Sequence, residues 1–251
     1  SEIEDWKAIV RGLAVRITDD GIIEQFEGWQ DLEELDWQYY GRKYDNIRRM
    51  DRILKAEGDS PDKYKAIKQA DVLQMYYLLS PGQVRHTLDL MGYTVDDETK
   101  LLRRQYEHYV PRTSHGSTLS YVVHAAIARY IPGKKSDTRR WFMEALKSDV
   151  FDTQGGTTLE GIHCGVMAGT VEILMKNFAG LNLFPDRVML ISSLPRGWKC
   201  LSFKILHRGR LFQLEIDQNH VKVSKQALSA GGQGETYIQV GAVERAISEG
   251  E

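Results

Sequence analysis

Up to about Gly180, apolar residues recur at helical spacing in one segment after another, with no strand signal between them. That succession constrains the fold more than any single motif does. Ile3, Trp6, Ile9, Val10, Leu13 and Ile17 predict an amphipathic helix with one buried face. "IIEQFEGWQDLEELD" then breaks the period at Gly28. Further helices are predicted from Lys63 to Leu79, Pro81 to Met91, Asp96 to His108, Thr118 to Tyr130, Lys134 to Lys147 and Thr158 to Phe178. Such elements bury their apolar faces by packing as antiparallel hairpins, which predicts a helical array. The last of them, "LEGIHCGVMAGTVEILMKNF", is apolar almost all round and is expected to be the most buried. Its Gly161, Gly165, Ala168 and Gly169 suit close backbone approach, although a glycine inside a helix costs about 1 kcal/mol relative to alanine.

After Gly180 the texture changes to short β-rich runs, "RVMLIS", "LSFKILHRG", "RLFQLEIDQ", "HVKVSK" and "ETYIQVG". "HRGRLFQLEI" predicts two strands joined by a tight turn at Arg208 and Gly209. The expected boundary lies between Ala179 and Phe184, giving a helical domain over 1–180 and a small antiparallel β domain over 181–251. The polar "SAGGQGE" reads as a surface loop.

With 33 basic against 35 acidic residues, the formal charge of −2 provides no global attraction for nucleic acid or an anionic membrane. No apolar run approaches the roughly 20 residues that span a bilayer, and "SEIEDWKAIV" lacks the regions of a secretory signal. Cys164 and Cys200 fall in stretches that read as a buried helix and a strand, without a disulfide framework. A reducing, cytoplasmic setting is the reading. The first methionine is Met50, inside a charged helical pattern, so the chain is expected to be part of something longer, or to carry one or two foreign residues at Ser1.

Three stretches carry candidate chemistry. "TSHGSTLS", Thr113 to Ser120, opens a helix whose free N–H groups and partial positive charge suit an anion, while plain capping by Ser117 or Thr118 is the commoner explanation of such a stretch. Lys68 and Gln69, opening the "AIKQADVLQMYYLL" helix, could supply donors to phosphate or sugar, or Lys68 could simply snorkel from a buried helix. In "DTQGGTTLEGIHCG", Gly155 and Gly156 suit a tight turn, Thr157 and Glu160 fit a capping box, and His163 is either a site residue or a satisfied core histidine. His115, His124, His163 and Cys164 match no compact zinc spacing, so no metal is expected. No cofactor fingerprint, GxSxG elbow or phosphate-binding GxxxxGK[ST] loop occurs.

Taken in order, "IKQADVLQMYYLL", "PRTSHGSTLSYVVHAAIARY", "DTQGGTTLEGIHCGVMAGT" and "LPRGWKCLSFKILHRGRLFQLEI" resemble the C-terminal half of glycoside hydrolase family 65, the maltose, trehalose and kojibiose phosphorylase group. "GIIEQFEGWQDLEELD" is similar to the stretch that precedes the family's lysine-glutamine motif, and the likeness runs to about Val223. The resemblance implies the rear part of an (α/α)6 barrel followed by a small C-terminal β-sandwich. It implies phosphate binding by His115, Ser117 and Thr118, and substrate binding by Lys68, Gln69 and His163. The implied substrates are inorganic phosphate and an α-linked glucose disaccharide.

One departure matters. The family's catalytic acid is a glutamate well upstream of the lysine-glutamine pair, and nothing before Lys68 matches its motif; Glu24 and Glu27 belong to a different segment. The chain is therefore expected to lack the acid and to be inactive alone, with self-association or a partner chain supplying the missing helices. Two other functions stay open: a non-catalytic carbohydrate- or phosphate-binding or interaction module, and an α-glucoside hydrolase.

Overall fold

The computed structural model describes residues 1–69, 71–226 and 236–247. Two compact units divide at Met167 and Ala168. Helix gives way to strand later, since the last helical turn ends at Phe178 and the first strand begins at Leu181. The polar 229–235 loop lies outside the described residues.

The first unit contains α1 (Glu2–Gly12), α2 (Trp37–Lys43), α3 (Met50–Ala56), α4 (Asp71–Leu78), α5 (Pro81–Leu90), α6 (Glu98–Tyr109), α7 (Leu119–Ala128) and α8 (Lys135–Val150), and α9 (Cys164–Ile173) begins within it. Local chemistry fixes several starts. Ser80 and Gln83 form a capping box with Pro81 in the first turn of α5, and Asp36 and Asp97 cap α2 and α6. α4 is shorter than its period predicts, because Ile67 is drawn into a parallel bridge with Thr113 and the chain turns helical only at Asp71.

The core gathers Leu73 and Tyr76 of α4, Val84 and Leu88 of α5, Leu102, Tyr106 and Tyr109 of α6, and Val123 and Ile127 of α7. Trp29 closes it from the preceding segment, at 1% exposure, with Gly28 left-handed at φ 89° before it. That segment is held by hydrogen bonds. Gln105 accepts from the Ile23 amide at 2.9 Å and donates to the Gly21 carbonyl at 2.7 Å.

Several expectations fail here. α1 has no buried residue, and its Ile3, Trp6, Ile9 and Val10 are each 60% exposed. The helix ends at Gly12, and Ile17 instead bridges Ile23. The predicted Thr158–Phe178 helix is broken by left-handed Gly161 at φ 126° into a short 3-10 turn and α9. It is not the most buried helix, since Leu159, Ile162 and Val171 are exposed. That place belongs to α7, where Ser120 to Ala125, Ile127 and Ala128 are all buried. Cys164 and Cys200 are both exposed free thiols, and Cys200 precedes its strand rather than lying in it.

The second unit continues from α9 through a π-helical turn (Leu174–Phe178) into seven strands: β1 (Leu181–Leu183), β2 (Arg187–Leu190), β3 (Leu201–His207), β4 (Arg210–Ile216), β5 (Val221–Gln226), β6 (Thr236–Val240) and β7 (Val243–Ile247). One sheet runs β3-β4-β5, antiparallel throughout; the other runs β1-β2-β6-β7. The fully antiparallel expectation is corrected by β2 and β6, which pair in parallel. Arg208 and Gly209 are both left-handed, at φ 51° and 73°, and turn β3 into β4 as the two-residue spacing predicts. Val188, Leu190 and Ile238 of one sheet share a core with Ile205, Phe212, Leu214 and Ile216 of the other.

Candidate functional site

The bridge between Ile67 and Thr113 is the local event that builds the site. Ile67 N–H donates to the Arg112 carbonyl at 3.0 Å, and Ser114 N–H donates to the Ile67 carbonyl at 2.8 Å. The residues that follow on each strand of this bridge, Lys68 and His115 to Ser117, are thereby laid side by side. Gly116 makes the approach close. A Cβ there would stand 3.1 Å from Lys68 Cγ and 2.8 Å from the Arg48 carbonyl oxygen, so only glycine fits without displacement.

His115 adopts a left-handed backbone, φ 59°, uncommon for a side chain of this size. Its surroundings enforce it. The imidazole stacks on Tyr121 with ring centroids 4.6 Å apart and lies against Trp141 and His124, while Gln154 Nε2 donates to its carbonyl at 3.3 Å. Burial, then the Arg48 and Arg140 guanidinium groups, push the imidazole down to about 3, so the ring is neutral at neutral pH. Its tautomer follows from proton counting. Ser120 Oγ gives its single proton to the Ser117 carbonyl at 2.8 Å and therefore accepts at 2.7 Å from His115 Nδ1–H. His115 Nε2 is left as an acceptor.

The helix mouth is uncapped by its own hydroxyls. Thr118 occupies the N-cap of α7 without a side-chain cap hydrogen bond, and its hydroxyl is buried without a partner. The N–H groups of Ser117, Thr118 and Leu119 have no acceptor among the described residues. The capping alternative thus fails for this loop, and four donors are left at a helix N-terminus.

Lys68 is exposed and pairs with Asp51 Oδ2 at 3.1 Å, while Gln69 is half-buried beside it. Neither opens a helix; both sit in the bend after the bridge. Burial alone would raise the Asp51 carboxyl, yet the Lys68 ammonium holds it below its ordinary value.

His163 is held elsewhere. Asp149 of α8 accepts from its ring Nδ1 at 2.6 Å and from its amide at 2.7 Å. No hydrogen bond or ion pair among the described residues joins His163 to Lys68 or to 115–118. The two places are connected through the 152–158 turn: Thr158 Oγ1 lies 3.1 Å from Asp152 Oδ1 and 3.3 Å from the Asp149 carbonyl, Thr157 Oγ1 donates to Gln154 Oε1 at 3.2 Å, and Gln154 donates to the His115 carbonyl. Gly155 and Gly156 are left-handed, at φ 76° and 98°, as the tight turn requires. Thr157 makes no capping box; Asp152 accepts from the amides of Gly156, Thr157 and Thr158 in its place. The Glu160 side chain lies outside the described residues.

Residue reasoning missed Arg48, Asp51, Tyr121, Asp149 and Gln154. Arg48 ties three segments together, donating to Tyr121 Oη at 2.8 Å and to the Thr153 carbonyl at 3.1 Å and facing Glu144 at 3.7 Å. The dense "NIRRMDR" was a visible signal for it; Asp149 and Gln154 acquire their roles only through tertiary contact. Among the described residues, no group of three or more His, Cys, Asp or Glu is placed to hold a metal ion, and no helix is long and apolar enough to cross a membrane.

The glycosyl hydrolase family 65 central catalytic domain matches residues 1–172, and the family's C-terminal domain matches residues 193–240. The chain belongs to glycosyl hydrolase family 65. A trehalose 6-phosphate phosphorylase of Lactococcus lactis is 35% identical over 225 residues, covering 90% of this chain and 29% of that protein. A Mycobacterium tuberculosis protein described as an uncharacterized glycosyl hydrolase is 42% identical over 216 residues, covering 86% of this chain and 16% of its own length. A solved structure from the human microbiome, carrying a provisional kojibiose phosphorylase name, superposes with a TM-score of 0.67 at 23% identity, over 93% of this chain and 31% of that one. This family 65 chain thus spans less than a third of the length of these relatives.

Proposed function

We propose that this family 65 segment forms the phosphate side, and part of the glucose side, of an inverting α-glucoside phosphorylase. The observation that carries the reading is the Ile67–Thr113 bridge, which sets Lys68 against an uncapped helix mouth. His115, Ser117 and Thr118 take the phosphate, with the Lys68 ammonium beside them between phosphate and sugar, while Lys68, Gln69 and His163 serve the sugar. Named phosphorylases among the relatives support this reading.

In the proposed reaction a phosphate oxygen attacks the anomeric carbon from the face opposite the glycosidic bond. The C–O bond to the leaving sugar breaks through an oxocarbenium-like state, and an acid protonates the departing oxygen. The products are β-glucose 1-phosphate and the released sugar. Phosphate is already a nucleophile and needs no base to generate it. Neutral His115, an acceptor at Nε2, suits the one P–OH of the phosphate dianion, and the free N–H groups of 117–119 suit its bare oxygens. The 113–120 loop contains no carboxylate that could activate water, which favours phosphorolysis over hydrolysis. The acid is assigned to a part of the enzyme outside these residues.

Inorganic phosphate is expected to raise the melting temperature of the chain, and Lys68→Ala to abolish the rise. Gly116→Ala is expected to weaken phosphate binding at least tenfold by pushing Lys68 or the Arg48 backbone aside. Equal phosphate responses in native and Lys68→Ala protein would remove Lys68 from the site. Incubation with maltose, trehalose or kojibiose, with and without phosphate, separates the functions: phosphate-dependent glucose 1-phosphate supports phosphorolysis, and phosphate-independent glucose supports the hydrolase.

A further inference from the structure

Two adjacent arginines at the start of α3 differ in one respect. Arg48 has a partner for each arm of its guanidinium, as described above. The Arg49 guanidinium has none: no side-chain hydrogen bond or ion pair to it exists among the described residues, and its Nε is sealed from solvent without an acceptor. A guanidinium is always charged and carries five donors, so a half-buried one without an acceptor is unfavourable. Its terminal nitrogens, unlike Nε, are not sealed without a partner.

The location supplies the meaning. The peptide joining Arg48 to Arg49 abuts Gly116, since the Arg48 carbonyl oxygen and Lys68 Cγ both crowd the point where a Gly116 Cβ would stand. Asp51, two residues on, takes the Lys68 ammonium on Oδ2 and leaves Oδ1 buried without a donor. Arg49 contributes favourably to the charge on that carboxylate. One carboxylate beside the phosphate loop thus pairs with Lys68 and leaves Arg49 unpaired.

We infer that Arg49 is a specificity-determining residue that takes a phosphate dianion next to Lys68, through the paired N–H groups of its guanidinium. The inference rests on the phosphate-site reading above and goes beyond it, since neither residue patterning nor that reading assigns Arg49. Two sources have this chemistry: the attacking inorganic phosphate, and a phosphate ester carried by the sugar. Planar two-point recognition of either favours arginine over lysine.

The test is calorimetric titration of the full 251-residue chain with inorganic phosphate, glucose 6-phosphate and β-glucose 1-phosphate, in native, Arg49→Gln, Arg49→Lys and Lys68→Ala forms. Arg49→Gln is expected to weaken the recognised phosphate about ten- to a hundredfold, with Arg49→Lys in between. Its ligand-free melting temperature should be unchanged or higher, because an unpaired cation has been removed; a structural arginine would lower it. Selective loss for inorganic phosphate assigns Arg49 to the nucleophile, and selective loss for glucose 6-phosphate assigns it to an ester. Native affinity for all three ligands in Arg49→Gln, with binding lost in Lys68→Ala, overturns the Arg49 assignment and leaves the phosphate site standing. Absence of binding to the native chain overturns both.

Discussion

Gly180→Ala is expected to unfold the C-terminal unit. Gly180 is left-handed at φ 68°, and a Cβ there would stand 1.9 Å from the Ile191 carbonyl oxygen, 2.2 Å from its carbonyl carbon and 2.7 Å from its amide nitrogen. All three atoms are backbone and cannot swing aside. Ile191 also donates its amide to the Gly180 carbonyl at 3.1 Å, so relieving the clash breaks the hydrogen bond that joins the strand ends. The loss should exceed about 3 kcal/mol, above the usual range for a point substitution. Gly197 separates the two contributions. It is also left-handed, φ 92°, but a Cβ there meets nothing, so Gly197→Ala should lose only about 1 kcal/mol. The fluorescence of Trp198, which packs edge-on against Phe178 with centroids 5.1 Å apart, reports the unfolding of this unit. Similar urea midpoints for the two variants would refute the clash.

The second large effect is acid sensitivity. Three histidines of the helical unit are held neutral. Burial, then Arg112, pushes His108 down to about 4; its Nε2 accepts from Trp29 Nε1–H at 3.1 Å and so cannot be protonated in place. Burial and the two arginines push His115 down to about 3. His124, fully buried with neither ring nitrogen hydrogen-bonded among the described residues, is pushed well below its ordinary value by burial. In each case the unfolded chain takes up a proton near pH 6.5 and the folded chain does not. The proton linkage therefore costs nothing well above pH 6.5, where both states are unprotonated, and stability is lost on acidification below it, at up to about 1.4 kcal/mol per histidine and pH unit. Urea midpoints should fall steeply between about pH 6.5 and 5, above the range where carboxylates titrate. His124→Leu should flatten that dependence and stabilise the protein at neutral pH by about 1–3 kcal/mol, by removing two unpaired buried nitrogens. A midpoint independent of pH across this interval would show that these rings are solvated.

Periodicity found α5, α6, α7 and α8 nearly to their ends, because capping and amphipathic burial are written into neighbouring residues. It overran at α4 and misjudged α1 and α9. Helical spacing in α1 states which face is apolar but not whether anything covers it, and none of its residues is buried. The apolar look of 159–178 concealed the left-handed break at Gly161. In the candidate site, Lys68, His115, Ser117 and Thr118 were legible as residue types, and the ordered motifs named the family that the domain matches then established.

By itself the sequence determined the order of helix before strand, the β3-β4 turn and the residue types of the 113–120 loop, since each depends on short-range spacing or backbone freedom. Only the tertiary structure decided that Lys68 lies against Gly116, that His163 belongs to Asp149, and that Arg48 is satisfied while Arg49 is not. Those facts arise from a two-residue bridge between segments 46 positions apart and from polar side chains that meet between α7, α8 and the segment before α3. Pairing at that separation is selected by the whole fold, and no local pattern encodes it.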